Sequence, residues 1–570
     1  MKKLLALLLC LVMVASVFAG CGPVGPSKGT NGAEDDTTGG NVAATREPLP
    51  DDITLVIGIP EQAVVEDYDT NALTLWLEDE TGYDIQFKKY MPLENDYKSK
   101  LSTALVDDEE LPDILMNFNL GREYYQDLGE DGYLVDLAPF FEDETLAGDW
   151  WERFELLPEE AKFNIEKSLY DDEGRDNVWA FPTIDYAEYD TIAGQMYINQ
   201  EWLKKLNLEM PSDPESLYTV LKAFKTQDPN GNGKPDEIPI LGQVGGNWGD
   251  PVKWIINMFT YYDAHGWRVD ENGELYTPYT TDEYREALIF INRLVKEGLM
   301  DSTCWSLDTS LLKGMLAPPD GVQKIGIVGG HPTLTFAVDD PGIYQYASVD
   351  YFGYAPLWSP NYNFRTFVTE DCEYPEAAWN VFMLLCTEEG SRRMRYGEKD
   401  VDWVEADEGA KSFLGYDADF KVLNENAYSG IGNKTWNVNV ACLGIGNENE
   451  YCQLSEDMGE WVNYKMNMMA DTYHKYMAAA ERTPDNVVWE MVYSVEEDNE
   501  IDACRTNVAN VYNVARASFC TGKSTDGKYT DPNNDAQWEA YKQEVLDQGY
   551  EEWREMAQAI YDDDMAAGHE

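Results

Sequence analysis

Oxygen-bearing side chains fall at alternate positions in Asp228-Pro-Asn-Gly-Asn-Gly-Lys-Pro-Asp-Glu237. Asp228, Asn230 and Asn232 take the first, third and fifth places, Gly233 the sixth, and Lys234 offers its backbone carbonyl at the seventh; Asp236 and Glu237 follow. Calcium takes about 6–8 oxygens, and an EF-hand loop supplies them at this spacing, with glycine sixth for the turn. The twelfth position is Pro239, so the late bidentate acid of an EF-hand is missing. Asp236 or Glu237 must close the shell from a shorter loop. The expectation is a structural Ca2+ held by Asp228, Asn230, Asn232, the Lys234 carbonyl, Asp236 and Glu237. The alternative is a plain turn rich in Asn, Gly and Pro.

The flanks say what positions this loop. Ser212-Asp-Pro-Glu215 has capping-box spacing. Leu217, Val220, Leu221 and Phe224 then fall on one face of a helix. Ile238-Pro-Ile-Leu241 reads as a short buried strand. The loop therefore joins a helix to a strand, as a structural staple would, and offers no open position for catalysis.

The stretch Met196-Tyr-Ile-Asn-Gln-Glu-Trp-Leu-Lys-Lys-Leu-Asn-Leu-Glu-Met-Pro211, followed by that helix and loop, resembles the family 1 extracellular solute-binding lipoproteins of ABC importers. The likeness is closer to the large oligosaccharide-binding branch, which includes alginate-binding proteins. Leu111-Pro-Asp-Ile114, Gly132-Tyr-Leu-Val-Asp-Leu137, Lys296-Glu-Gly-Leu-Met-Asp301, Pro375-Glu-Ala-Ala-Trp379 and Arg395-Tyr-Gly397 with Val401-Asp-Trp403 carry it over most of the chain after residue 50. The resemblance implies a two-lobed, periplasmic-binding-protein-like α/β fold with a hinge and central cleft. It also implies capture of an oligosaccharide for ABC permease subunits, without catalysis. A secreted carbohydrate-active enzyme and a non-transport carbohydrate sensor are the alternatives.

Lys2 and Lys3 precede an apolar run from Leu4 to Phe18, then Ala19, Gly20 and Cys21. This is the pattern of a secretory signal peptide over 1–20. A cysteine after Ala-Gly resembles a bacterial lipobox, although Phe18 stands where leucine is usual. Cys21 is expected to be the lipidated (palmitate-bearing) mature N-terminus, anchoring the protein to the outer face of the cell membrane. Residues 21–50 read as a flexible tether and 51–570 as the folded part.

The chain has 570 residues and a formal net charge of −64. Such a surface repels nucleic acid and anionic headgroups, so no nucleic-acid partner and no membrane contact beyond the anchor are expected, for a monomer. Aromatic residues make up 13%, which marks a folded chain rather than an acidic disordered one. After Cys10 and Cys21, seven cysteines remain at scattered spacing, with no zinc or haem pattern and no implied disulfide framework.

Ile53–Ile59 is a nearly continuous apolar strand, as in a sheet buried on both faces. Helix and strand then alternate through Asp84–Phe87 and Asp113–Met116, an α/β lobe. The first lobe is expected over about 51–182, with a return segment near 324–370 that includes the strand Lys324–Val328. The second is expected over about 194–320 and 375–570, with a helix-rich C-terminal part. Its clearest helix follows Thr280, with Tyr284, Ala287, Leu288, Ile291, Leu294 and Val295 lining one face. Thr521-Gly-Lys-Ser524 mimics the end of a phosphate loop, but Ala517 stands where its first glycine belongs and a helix precedes it. The four histidines have no metal spacing.

A sugar offers apolar faces and hydroxyl edges, so its site needs flat aromatics with polar partners in a cleft. Aromatic residues outside any helical core pattern are the candidates. Trp305 follows a helix stop at Gly298, Trp358 precedes Ser359-Pro360, and Trp436 ends Gly432-Asn-Lys-Thr-Trp436. These three are expected as platforms. Trp248 in Gly245-Gly-Asn-Trp-Gly249 and Asn119 after the third strand are expected as further ligand contacts.

Overall fold

In β1 (Thr54–Pro60), Leu55, Ile57 and Ile59 point to one hydrophobic core. Gly58 lies on the opposite face, where an added Cβ would stand 2.9 Å from Pro112 and 3.2 Å from Leu115. Strand side chains alternate between faces, and here both faces are covered. The structure is a computed structural model. It describes residues 48–567 apart from 64, 158, 171–176, 186–194, 247–248, 264–265, 338, 357–360, 424–432, 437–450 and 489–490.

The first lobe continues through α1 (Ala72–Thr81), β2 (Asp84–Tyr90), α2 (Glu94–Val106), β3 (Ile114–Met116), α3 (Arg122–Glu130), α4 (Glu144–Phe154) and β4 (Phe181–Asp185). Its sheet has five strands. Ile57 lies beside Phe87 on one side and Ile114 on the other, both in parallel register. Ile114 and Met116 face one core with α1 and α4, while Leu115 faces another with Tyr97, Leu101 and Tyr125 of α2 and α3.

The second lobe opens with β5 (Met196–Asn199), α5 (Gln200–Leu206), α6 (Pro214–Thr226) and β6 (Ile238–Leu241). α7 (Asp282–Lys296), α8 (Thr309–Leu316), β7 (Ile325–Gly329) and β8 (Tyr346–Ser348) follow. Its sheet runs β8-β5-β7-β6, with β6 and β7 parallel. The cap of α6 sits one residue later than its sequence suggests. The Asp213 carboxylate accepts from the Ser216 N–H at 2.8 Å, and the Ser216 hydroxyl accepts from the Asp213 N–H at 3.0 Å. Pro214 occupies the first turn, where its missing N–H costs nothing.

Two assignments of segments to lobes need correction. The strand expected to return the chain to the first lobe is β7, which pairs with β5 and β6 of the second sheet. The return is made by the next long strand, β9 (Asn361–Val368), antiparallel to both β3 and β4. Conversely, α9 (Pro375–Cys386), expected in the second lobe, packs in the first-lobe core, and the Trp379 indole donates to the Leu146 carbonyl of α4 at 3.0 Å. α10 (Glu388–Tyr396) follows it. An apolar run announces burial; it does not announce which sheet supplies the partner.

After α10 comes a small sheet of β10 (Trp403–Glu405), β11 (Phe420–Val422) and β12 (Cys452–Gln453). Four helices close the chain: α11 (Gly459–Ala480), α12 (Val495–Thr521), α13 (Asp535–Asp547) and α14 (Tyr550–Ala567). They share the second-lobe core. Asn292 of α7, itself buried, donates to the Phe519 carbonyl at 2.6 Å and so ties the end of α12 to that core. Gly522 caps α12 in the left-handed region, so Thr521–Ser524 is a helix end. Among the described residues no disulfide forms, and Cys304, Cys372, Cys386, Cys452, Cys504 and Cys520 are buried. No described helix is long and apolar enough to cross a membrane.

Candidate functional site

The loop Asp228–Glu237 joins α6 to β6, and its interior is polar. The Asn230 and Asn232 amides donate to one Asp236 oxygen at 3.2 and 3.0 Å. The other Asp236 oxygen pairs with Lys324 at 3.2 Å. These bonds, the Asn232 amide first, hold the Asp236 carboxyl down at about 2. Its stabilising effect is therefore present above the ordinary Asp range and is lost as pH falls through about 2. The Asn232 and Lys234 N–H groups donate to the Asn230 and Asn232 side-chain oxygens at 3.0 and 2.8 Å, which leaves each amide oxygen a second lone pair.

Glu237 behaves oppositely. It is 2% exposed, and one of its carboxyl oxygens and one of Asp228 are buried without a hydrogen-bond partner. Burial raises the Glu237 pKa, and the neighbouring Asp228 and Asp236 carboxylates add to the rise. A raised carboxyl favours the fold below the ordinary Glu range, and that contribution is lost as pH rises through the shifted value. Two buried, unpartnered carboxylate oxygens in one loop suit a cation better than they suit each other. Among the described residues no group of three or more His, Cys, Asp or Glu forms a metal cluster, so any ion here leans on amide and carbonyl oxygens as well.

The aromatic candidates are scattered. Trp248 and Trp358 lie outside the described residues. Trp305 is half-buried against the second-lobe core, with its indole N–H buried and unpartnered. Asn119 is exposed beyond β3; its side chain donates to Glu94 at 2.9 Å and its backbone N–H to the Tyr97 hydroxyl at 3.0 Å. Trp436, expected as an exposed platform, is 1% exposed. Its indole donates to the Thr74 hydroxyl at 2.8 Å, and its ring meets the Phe87 ring edge-on at 5.3 Å. Asn433 and Thr435 bind the start of α1 on either side, through Thr70 and Asn71. In this conformation Trp436 is a core residue with no face for a ligand. Glycine and asparagine around it mark irregular backbone, which does not require an exposed side chain.

The structure instead brings together residues that sequence reasoning missed. A cavity of about 440 Å³ lies where the turn after β3 meets the start of α12. Tyr124, Tyr362 and Tyr493 line it, with Arg122, Asp498 and Asn499. Asn117 and Gly121 take positive φ, 62° and 86°, and these turns carry Arg122 to the cavity wall. The Arg122 guanidinium donates to the Tyr493 carbonyl at 3.1 Å and the Tyr170 carbonyl at 3.4 Å. The next residue, Ser494, caps α12 by accepting from the Glu497 N–H at 3.2 Å, and its own N–H donates back to the Glu497 carboxylate at 2.8 Å. Ser494-x-x-Glu497 has capping-box spacing, but that spacing does not show that Tyr493 before it lines a cavity. Burial pushes the Tyr493 phenol up to about 12, so it stays a neutral hydroxyl.

A second cavity, about 220 Å³, opens beyond the ends of β6 and β7, lined by Gln243, Gly245, Gly249, Gly330, His331 and Thr309. Gly249 must be glycine: an added Cβ would lie 1.8 Å from the Gly330 nitrogen. Both cavities sit at the carboxyl ends of parallel strands, the usual place for a ligand in α/β sheets. Tyrosine faces, hydroxyls and fixed amides suit a flat, hydroxyl-rich solute.

No protein-family model matches the chain. It is 28% identical over 239 residues to the fructooligosaccharide ABC transporter substrate-binding protein FusA of Streptococcus pneumoniae, covering 41% of this chain and 42% of that one. It is 33% identical over 185 residues to the lipoprotein LipO of Bacillus subtilis, covering 30% and 35%. A shorter match, 29% over 105 residues, covers 18% of this chain and 20% of the polygalacturonan/rhamnogalacturonan-binding protein YtcQ of the same organism. The chain thus aligns with less than half the length of each of these relatives. Among solved structures, an HMO binding ABC-transporter associated solute-binding protein of Bifidobacterium longum infantis superposes with TM-score 0.68 at 20% identity, covering 90% of this chain and 98% of that one. An EF-hand mutant of FusA with fructo-nystose superposes at 0.59 and 20% identity, over 90% and 100%. The alginate-binding protein AlgQ2 without calcium ion does so at 0.56 and 17%, over 90% and 98%. The fold is that of the two-lobed extracellular solute-binding proteins.

The placement of Trp436 yields a sharp expectation. Trp436→Ala should cost about 3–5 kcal/mol of stability, as for a large buried aromatic. Urea denaturation measures it; an unchanged midpoint with the indole removed would contradict the packing described.

Proposed function

We propose that this protein is the extracellular solute-binding component of an ABC importer and that it captures an oligosaccharide between its lobes. The observation that carries this is the tyrosine-lined cavity, whose walls come from the first lobe through Arg122, Tyr124 and Tyr362 and from the lead into α12 through Tyr493. Tyrosine rings stack on the apolar faces of pyranose or furanose rings while their hydroxyls and Asn499 bind edges. Arg122, held by two backbone carbonyls, is oriented before ligand arrives. The chain crosses between sheets after β4 and again after β8, and such crossings are where hinge closure is absorbed. The names of FusA and LipO support delivery to a permease and a lipid anchor at Cys21, respectively. Cys21 lies outside the described residues; mass determination of the mature N-terminus decides the anchor, and an unmodified or retained leader would refute it. Calorimetry with neutral tri- to pentasaccharides tests the main reading. Tyr124→Ala and Tyr362→Ala should each weaken binding about 5- to 150-fold, taking about 1–3 kcal/mol for a stacked ring. Unchanged affinity in both would displace the site, and shortened sugar products would favour an enzyme.

We also infer that Asp228–Glu237 binds calcium for stability. The support is the spacing of its oxygens together with the unpartnered Asp228 and Glu237 oxygens. Asp228, Asn230, Asn232, the Lys234 carbonyl, Asp236 and Glu237 would hold the ion, which supplies charge neutralisation and no chemistry. Binding to the native state alone raises stability by mass action, about 2.7 kcal/mol at a hundredfold excess over Kd. Chelation should therefore lower the melting temperature, and Asp228→Asn with Glu237→Gln should abolish the difference. A melting curve indifferent to both chelator and added calcium would remove this reading.

A further inference from the structure

The tyrosine cavity continues into a wider groove of about 790 Å³ between α3 and the first turns of α12, the two sharing Glu123, Ser494, Val495 and Asn499. One wall of the groove carries Glu123, Asp127 and Glu130, at helical spacing that puts them on one side of α3. The other carries Glu496, Glu497 and Glu500. Glu123, Asp127, Glu130, Glu496 and Glu500 are exposed.

Among the described residues lining the cavity and groove, Arg122 is the one cation. Its guanidinium already donates to the Tyr493 and Tyr170 carbonyls. The next cation along α12, Arg505, pairs with Asp498 at 2.6 Å and Asp502 at 3.0 Å. A glycan carboxylate or sulfate entering the groove would meet carboxylates from both walls, with Arg122 as the single cation to offset them. Like charges brought together across an interface are a strong device for rejecting a ligand. The formal net charge of −64 extends the same repulsion to the approach.

We propose that the groove selects an uncharged oligosaccharide and rejects uronate- and sulfate-bearing glycans. This rests on the oligosaccharide-binding reading above and sets the protein apart from the polygalacturonan/rhamnogalacturonan-binding protein it partly resembles. Hydroxyl groups can donate to the carboxylate walls, so the same residues that exclude an anion serve a neutral sugar.

The test is calorimetry on the full mature chain with two panels of matched length at low and high ionic strength. The neutral panel holds gluco-, galacto-, manno- and fructo-oligosaccharides; the acidic panel holds oligogalacturonates and oligoalginates. A neutral member should bind with affinity nearly independent of salt. Every acidic member should bind at least about 100-fold more weakly at low salt, the gap narrowing as salt screens the walls. Glu123→Gln, Asp127→Asn and Glu130→Gln together should narrow the gap at low salt. Acidic oligomers binding as tightly as the best neutral one, or a gap unmoved by the triple substitution, would overturn the charge rule while leaving oligosaccharide binding intact. No binding by either panel would overturn the functional reading itself and this rule with it.

Discussion

A strand buried on both faces can meet a solute only at its ends. β1, β2 and β3 run parallel in the first lobe, and β6 and β7 run parallel in the second. Helices or packed loops cover both faces of the first sheet, so the turn after β3 is where its backbone can reach outward. That turn, bent by positive φ at Asn117 and Gly121, delivers Arg122 to the Tyr493 carbonyl. The cavity, the acidic groove and the crossing of chain between lobes all follow from strands that stop at one edge.

The Asp228–Glu237 loop fits the same constraint. It lies at the other end of β6, between α6 and the strand. Its partners come from several elements: Lys205 of α5 donates to the Pro229 carbonyl at 2.6 Å, and Lys324, just before β7, pairs with Asp236. A cation there would fix β6 against β7 from behind, leaving their other ends to shape the glycine-lined cavity. Such an ion would act on position rather than on the solute.

Local order was legible in the sequence; distant pairing was not. The stripe from Leu217 to Phe224, the helix ending near Gly298 and the strand Ile53–Ile59 announce themselves through period and caps. So does the alternation of oxygens from Asp228 to Glu237. Lys324–Val328 reads as a buried strand, yet nothing in its apolar positions names β5 and β6 as neighbours. Trp436 shows the same limit, since its burial depends on Thr74 and Phe87, more than three hundred residues earlier in the chain. The cavity joins Arg122 to Tyr493 across 371 positions. Its tyrosines have no motif, because stacking needs only a ring at the right place in space.

On the function proposed above, the two lobes close on an oligosaccharide. Small-angle X-ray scattering of the mature protein, titrated with the neutral sugar that binds most tightly, tests it most directly. A fall in radius of gyration that saturates with calorimetric occupancy is the expected result. Saturated binding with an unchanged scattering profile would contradict closure between the lobes.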